Sequence, residues 1–250
     1  MSEIGPGELN RATLQRQLLL ERHDLSVPAT VERIMAGQAQ EPAAPYVALW
    51  NRIRDLAFTS VDDAFTERSV LKASLMRITL HAVTAADHPA FQRACRPILR
   101  AARLNDRRFL DTGLRAADAD AVVGELLGHL AEPRSKDDIL DYLAATGHGS
   151  SEPRLWWALR TFAPLIHVPA GPPWSYPQRP SYEAAPAAEH PDLETSVERL
   201  VRRYLAAFGP ASIGDLVQFT MLKTPVVRAA VTRIGDHLVT VRGPGGTELL

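Results

Sequence analysis

The stretch that decides the fold, residues 212–250, reads SIGDLVQFTMLKTPVVRAAVTRIGDHLVTVRGPGGTELL. Ser212 is a favourable N-cap residue, and the apolar periodicity that follows it predicts a short helix over residues 213–220. After a tight turn, Thr224-Pro225 supplies a cap and a first helical position, which predicts a second helix over residues 224–234. Two helices joined by a tight turn indicate a helix-turn-helix.

A β-hairpin is predicted directly after these two helices. Residues 237–242 alternate between polar and apolar side chains, residues 243–246 are Gly-Pro-Gly-Gly, and residues 247–250 begin a returning strand. A further helix, predicted over residues 195–208 and ended by Gly209-Pro210, precedes the helix-turn-helix. The order helix, short helix, helix, hairpin is that of a winged helix-turn-helix module.

The middle of the chain repeats this order more loosely. Helices are predicted over residues 118–131, 135–145 and 153–162. A hairpin is predicted from Ile166-His167-Val168 and a turn at Gly171-Pro172-Pro173. This segment is therefore interpreted as a second winged-helix module.

The N-terminal block is interpreted as a third, embellished copy. Helices are predicted over residues 9–22, 27–36 and 61–67, and another is predicted to begin at Pro45. Strict alternation from Met76 to Ala82 predicts a half-buried strand. Thr84 to Asp87 resembles a capping box, which opens a long helix to about Asn105 that is bent or interrupted at Pro97.

The predicted fold class is mainly α with short β-hairpins, arranged as tandem winged helix-turn-helix modules. We divide the chain into residues 1–112, 113–185 and 192–250, with Pro186 to Pro191 as a linker. The chain has 250 residues, of which 46% are hydrophobic and 23% charged, as expected for a globular protein.

The single cysteine, Cys95, excludes an internal disulfide framework and a cysteine-rich zinc site. No apolar run approaches the ~20 residues that span a bilayer, and no secretory signal is evident. The eight histidines show no metal-ligand spacing. We therefore expect a cytoplasmic protein without a membrane partner, metal or cofactor.

Basic residues are distributed unevenly, although the net charge is only −1. Lys72, Lys136 and Lys223 are the only lysines among the 28 lysine and arginine residues, so the other 25 are arginine. Five arginines recur at helical spacings of three and four residues: Arg93, Arg96, Arg100, Arg103 and Arg107. They predict either a stripe that faces DNA phosphates or an ordinary surface paired with acids elsewhere.

Common catalytic motifs are absent, since the sequence contains no GxSxG, P-loop, GxGxxG or HExxH pattern. The stretch Gly37 to Pro42, GQAQEP, instead places Gln38 and Gln40 two residues apart where a helix must stop. In an extended segment these two side chains share a face. The simpler alternative is a polar loop whose amides bond its own backbone.

Four segments together resemble a known family. They are Leu9-Asn10-Arg11 with Arg16 to Leu20, Gly37 to Pro42, Pro45 to Trp50, and Leu75 to His81. The similarity is to the AlkZ/YcaQ family of bacterial winged-helix DNA glycosylases, and it extends over essentially the whole chain. The family's catalytic motif has two glutamines in the AlkZ branch, and Gln38 and Gln40 fall on its positions.

The resemblance implies three winged-helix modules around a DNA-binding concavity, with the catalytic motif and the basic helix in the first. It implies a monofunctional enzyme that acts as a monomer on double-stranded DNA and hydrolyses the N-glycosidic bond of N7- or N3-alkylated purines. Unhooking of interstrand crosslinks and self-resistance to an alkylating natural product are also implied. Gln38 and Gln40 inherit the catalytic role, and Arg77 and His81 join the five arginines as expected DNA contacts. A non-catalytic winged-helix DNA-binding protein or regulator is the alternative.

Two departures from the family pattern are visible. Ile78 stands where the family usually has glycine. The family's C-terminal β-barrel is expected to be absent, and the third wing is expected to be incomplete. Neutral amides can stabilise a sugar cation and hold water but cannot donate a proton to a departing base. The motif therefore predicts substrates whose base already carries a positive charge.

Overall fold

The computed structural model describes residues 3–148, 152–186 and 191–250. Its N-terminal block contains four helices and one small sheet. The helices are α1 (Pro6–Arg16), α2 (Val27–Arg33), α3 (Ala44–Trp50) and α4 (Phe58–Thr66), and the strands are β1 (Gly37–Gln38), β2 (Val70–Ser74) and β3 (Leu80–Thr84). Helices α1 and α2 end earlier than predicted, because Leu18 and Met35 take left-handed backbone angles with φ of 57° and 73°.

The first sheet has the order β1-β3-β2, with both pairs antiparallel. The strand predicted over residues 76–82 is wrong at its start, because Met76 to Thr79 form the tight turn between β2 and β3. Arg77 and Ile78 both have positive φ, 55° and 60°, as the central residues of a type I′ turn do. A β-branched residue is strained there, whereas glycine is not.

The middle of the chain contains five helices and a second sheet within the described ranges. The helices are α5 (His88–Leu104), α6 (Arg107–Leu110), α7 (Ala116–His129), α8 (Lys136–Leu143) and α9 (Glu152–Phe162). The strands are β4 (Arg134–Ser135), β5 (Leu165–Val168) and β6 (Ser181–Ala184), in the order β4-β6-β5. The expected hairpin forms, but its loop is long because β6 begins only at Ser181.

The C-terminal part forms the predicted helix-turn-helix and wing. Its elements are α10 (Leu193–Phe208), α11 (Ile213–Thr220), α12 (Thr224–Ile234), β7 (Val241–Arg242) and β8 (Glu248–Leu249). Ser212 and Asp215 form a reciprocal capping box at the start of α11. Strands β7 and β8 pair as the wing, and Leu250 exchanges two backbone hydrogen bonds with Ala211. Of the predicted linker, residues 187–190 lie outside the described residues.

Helix α5 is central, since it packs against both α9 and α10. Its N-terminus is tied to α10 by Asp87, which is completely buried. Arg199 Nε donates to Asp87 Oδ1 at 2.7 Å, and Arg203 Nε lies 3.0 Å from Asp87 Oδ2. Thr84 Oγ1 donates to the same carboxylate at 3.2 Å, so the predicted capping-box residues also hold the C-terminal helices.

One hydrophobic core extends from the first sheet through α5 to the C-terminal helices, and a smaller cluster lies beneath α2, α3 and α4. The domain boundaries at residues 112 and 192 therefore stay a prediction. Among the described residues, no helix is both long enough and apolar enough to cross a membrane.

Candidate active site

The two glutamines lie on the edge strand β1 and at the bend that follows it. Gln38 pairs with His81 of β3, and the Ala39 N–H donates to the Leu80 carbonyl at 2.8 Å. Ala39 is completely buried, whereas Gln38 and Gln40 are exposed. The strand covers only Gly37 and Gln38 and the chain bends at Gln40, and both amides are directed away from the core.

The two amides differ in their partners. The Leu80 N–H donates to Gln40 Oε1 at 3.4 Å, so the Gln40 carbonyl is engaged and its NH₂ group remains available to a substrate. The Gln38 side chain makes no hydrogen bond to the part of the protein that the structure describes. The alternative of a polar loop whose amides bond its own backbone is not supported for Gln38, because its side chain makes no such hydrogen bond.

Gln40 lines a cleft of about 370 Å³ between the first sheet and the middle of the chain. The cleft also contains Glu41, Lys72, Ile78, Arg103, Arg160 and His167. Three of these side chains are cationic and one is a carboxylate, which suits a phosphate-bearing ligand. The strained Ile78 forms part of the wall where the resemblance places glycine.

The strand register shows how Gln38 relates to this cleft. In an antiparallel sheet, directly opposed residues point to the same face. Lys72 opposes Ala82, and Ser74 opposes Leu80, so these residues share the cleft face. Gln38 opposes His81 and points to the other face. Gln38 therefore does not line the cleft. It lies on the edge strand β1, two residues before Gln40, which does line the cleft.

Lys72 and His167 are buried basic side chains that line the cleft. Lys72 is 5% exposed, and its Nζ lies 4.7 Å from the centroid of the Tyr176 ring. Burial lowers the pKa of Lys72 to about 8, although the Glu41 carboxylate opposes this shift. Burial, with the charges of Lys72 and Arg160, lowers the pKa of His167 to about 3. His167 Nδ1 has no hydrogen-bond partner within the described residues.

The arginine stripe is divided in the structure. Helix α5 ends at Leu104, so Arg107 lies on α6 and does not belong to the same helical face. Arg100 Nε donates to Asp120 at 2.9 Å, and Arg96 lies 3.6 Å from the same carboxylate. This hydrogen bond raises the pKa of Arg100 and lowers that of Asp120. Arg96 and Arg100 are thus paired with an acid, as the second sequence alternative allowed.

The other three arginines have different surroundings. Arg103 lines the cleft, donates to Thr161 Oγ1 at 3.0 Å and lies over the Trp157 ring. Arg93 is exposed on α5. The Arg107 side chain is 92% exposed, with Asp111 3.9 Å away.

Arg77 and His81 are also separated. The Arg77 guanidinium lies 5.3 Å from the centroid of the Phe219 ring, at the tip of the β2–β3 turn. His81 is only 3% exposed, its Nδ1 lies 3.1 Å from the Thr79 carbonyl, and burial lowers its pKa to about 4. The expected direct DNA contact by His81 is not supported, since the fold does not present this side chain at the surface.

Sequence reasoning missed Lys72, Arg160 and His167. The one available signal was a lysine within the otherwise apolar strand VLKAS, in a chain with only three lysines. The meeting of Lys72 and His167 depends on the pairing of distant segments, which no local pattern encodes.

Comparison with known proteins identifies the family of this chain. The family model described as "DNA glycosylase AlkZ-like" matches residues 31–250, a range that includes both glutamines, the cleft, most of the first predicted module and all of the other two. The chain belongs to the AlkZ-like DNA glycosylase family. It is accordingly a DNA-binding repair enzyme, and the non-catalytic alternative is set aside.

A solved structure supports the fold. The Streptomyces sahachiroi DNA glycosylase AlkZ superposes with a TM-score of 0.85 at 20% identity, covering 100% of this chain and 70% of that one. The AlkZ-like fold confirms the predicted class, helical with small antiparallel sheets in winged-helix arrangement. No curated protein sequence matches the chain.

Proposed function

We propose that this AlkZ-like chain hydrolyses the N-glycosidic bond of cationic N7- and N3-alkylated purines in double-stranded DNA, including bulky and crosslinked adducts. The observation that carries the proposal is the pair of exposed amides, Gln38 and Gln40, beside an open cationic cleft. A self-resistance role against an alkylating natural product, carried out by a monomer in the cytoplasm, follows from the family resemblance.

The amides match what the reaction needs. Cleavage of a glycosidic bond develops positive charge on the sugar, and water must attack from the open face. The free carbonyl of Gln38 can direct its dipole toward this charge and accept a hydrogen bond from the water. The Gln40 NH₂ group can donate to the same water or to the sugar. The lesion itself makes the base easier to release, because an N7-alkylated guanine is already cationic and leaves without being protonated.

Few side chains of the site can donate a proton to a neutral base as it leaves. His81 and His167 have pKa values of about 4 and 3, so at neutral pH both are unprotonated. Lys72 is a proton-bearing candidate in the cleft, but it lies on the sheet face opposite to Gln38. Burial raises the pKa of Tyr182, another proton-bearing group of the lining, which makes it a poorer acid. A positioned proton donor typically raises the rate by ~10²–10⁴. Excision of a neutral base at this site would lack that contribution.

The position of the amides also bears on adduct size. Gln38 and Gln40 are exposed at a sheet edge, whereas glycosylases that flip a base enclose it in a tight pocket. An exposed motif can approach a sugar without engulfing its base. A large adduct, or a base tethered to the opposite strand, is then accommodated as well as a methyl group.

The leaving-base prediction tests this function. Duplexes that carry N7-methylguanine, N3-methyladenine, uracil or hypoxanthine at one site are incubated with excess protein, and released base is quantified. We expect release of the two methylated purines and none of uracil or hypoxanthine, because only the former leave as neutral molecules without protonation. Efficient uracil release would contradict the amide mechanism, and its loss in Lys72→Met would identify the proton donor.

We propose that Arg103 contacts a DNA phosphate while Arg100 remains with Asp120. Arg103→Ala is expected to reduce the slope of log affinity against log salt by about one unit for any duplex sequence, because one fewer counterion is released. Arg100→Ala is the matched control and should change the slope less, since Asp120 already neutralises Arg100. Anisotropy titrations at several salt concentrations measure both, and equal slopes for the wild type and Arg103→Ala would contradict the assignment.

A further inference from the structure

The feature left unexplained by base excision is the buried amine in the cleft. We propose that Lys72 forms an imine with the aldehyde of an abasic site, so that this cleft also cleaves the DNA strand by β-elimination. This inference rests on the proposed function, because base excision generates the abasic sugar beside Gln40. It departs from the monofunctional enzyme that the family resemblance implies.

Lys72 has the surroundings of a nucleophile rather than of a structural lysine. Lys72 is only 5% exposed, yet its Nζ makes no hydrogen bond and no close ion pair among the described residues. It lies over the face of Tyr176, and the Glu41 carboxylate acts on it only through space. An unpaired ammonium is costly to bury, so a purely structural role would favour an apolar residue. Its pKa of about 8 leaves a useful fraction of neutral amine near neutral pH.

The cleft around Lys72 also presents polar groups that could bind a ligand. His167 lines the same cleft, is 8% exposed, and keeps Nδ1 unpartnered within the described residues. The volume of about 370 Å³ accommodates a ring-opened deoxyribose. Arg103 and Arg160 on the wall suit its two flanking phosphates. The ligand that fits these groups is a small aldehyde-bearing sugar phosphate.

The steps balance without any redox partner. The neutral Lys72 amine adds to C1′ of the open-chain aldehyde to give a carbinolamine, which takes up one proton from solvent and loses water to give an iminium ion. The Glu41 carboxylate, which lines the same cleft and acts electrostatically on Lys72, accepts the C2′ proton. The C3′–O bond then breaks, and the 3′ phosphate leaves as a phosphate monoester. Water hydrolyses the conjugated imine, which frees Lys72 and leaves an unsaturated aldehyde on the DNA.

The chain offers an unusually clean trapping experiment, because it has only three lysines and Lys136 and Lys223 are both exposed. A duplex with a preformed abasic site is incubated with protein and sodium borohydride, which reduces an imine to a stable amine link. Peptide mapping of the trapped complex locates the attachment. We expect attachment at Lys72, retention of trapping in the Lys136→Arg, Lys223→Arg double variant, and loss of trapping in Lys72→Arg.

Strand scission supplies a second readout. Without alkali, the wild type should nick the abasic duplex, whereas Glu41→Gln should still be trapped but nick more slowly. Lys72→Met is a second variant without the amine, which keeps the test valid if Lys72→Arg misfolds. Thermal melting shows whether each variant is folded. The proposal is overturned by attachment at Lys136, Lys223 or the N-terminal amine, or by the absence of trapping in a wild type that binds the duplex.

The preformed abasic site separates this inference from the excision activity. A protein that releases alkylated bases but forms no imine retains the proposed function and refutes the lyase. A protein that is trapped on abasic DNA but releases no base supports the lyase and contradicts the excision proposal.

Discussion

Replacing Gln38 or Gln40 with alanine is expected to slow single-turnover base excision by ~10²–10³, the usual cost of losing one positioned electrostatic group. The fold should be unaffected, because both side chains are exposed and only one weak hydrogen bond is lost, from the Leu80 N–H to Gln40. DNA affinity should also stay near that of the wild type. Rates measured with protein in excess over N7-methylguanine duplex separate chemistry from binding.

Gln178→Ala is the matched control for these variants. Gln178 is an exposed glutamine that lines the same cleft, but it lies on the β5–β6 loop rather than on the edge strand. Its removal should leave the excision rate near that of the wild type, because Gln178 is given no part in stabilising the sugar cation or holding the water. If Gln38→Ala and Gln40→Ala behaved like Gln178→Ala, both would be ordinary loop residues.

Replacing Asp87 with alanine is expected to lower the free energy of unfolding by about 2–4 kcal/mol. Removing one partner of a buried ion pair typically costs about 3–5 kcal/mol, and the partial exposure of Arg199 and Arg203 reduces this value. The carboxylate is fully buried and receives both arginines and Thr84. Its loss should loosen the C-terminal helices from α5.

Urea unfolding of Asp87→Ala and Asp111→Asn provides the comparison. Asp111 lies 3.9 Å from the exposed Arg107, and such surface pairs contribute about 0–1 kcal/mol. We expect a clear shift of the urea midpoint for Asp87→Ala and almost none for Asp111→Asn. Equal midpoints would mean that Asp87 does not hold the two parts of the chain together.

Local signals were sufficient to predict most of the helices. Residues 213–220 form a helix with the predicted bounds, because a capping serine marks its start. The next helix is marked by its early proline and ends at Ile234 as predicted, but Thr224 is its first residue and Lys223 is its cap. Helix α5 continues through Pro97 and ends one residue before Asn105. These features depend on residues within one or two turns of each other, which a single sequence displays.

The β2–β3 turn could not be predicted in the same way. Type I′ turns are usually marked by Asn-Gly or Asp-Gly, but here Arg77-Ile78 takes the positive φ values. The alternation of residues 76–82 therefore indicated a continuous strand where the chain in fact reverses. The resemblance gave a hint, since the family usually has glycine at the position of Ile78.

The sequence predicted the two glutamines of the candidate site but not the cleft beside them. The spacing predicted that Gln38 and Gln40 share one face of an extended segment. Both are exposed, but the strand register places Gln38 on the sheet face opposite the cleft that Gln40 lines. The cleft was not visible, because it joins Lys72 of the first sheet to His167 of β5 and Arg103 of α5. The arginine spacing was correct along α5, but the pairing with Asp120 depends on the distant helix α7.

The central claim is that this chain breaks a glycosidic bond with two amides, and one measurement tests it most directly. Release of N7-methylguanine from a single-site duplex is timed with wild-type protein in excess and compared with spontaneous depurination of the same duplex. We predict release well above the spontaneous rate, returning to that rate in the Gln38→Ala, Gln40→Ala double variant. Release at the spontaneous rate from duplex fully bound by the wild type would contradict the claim.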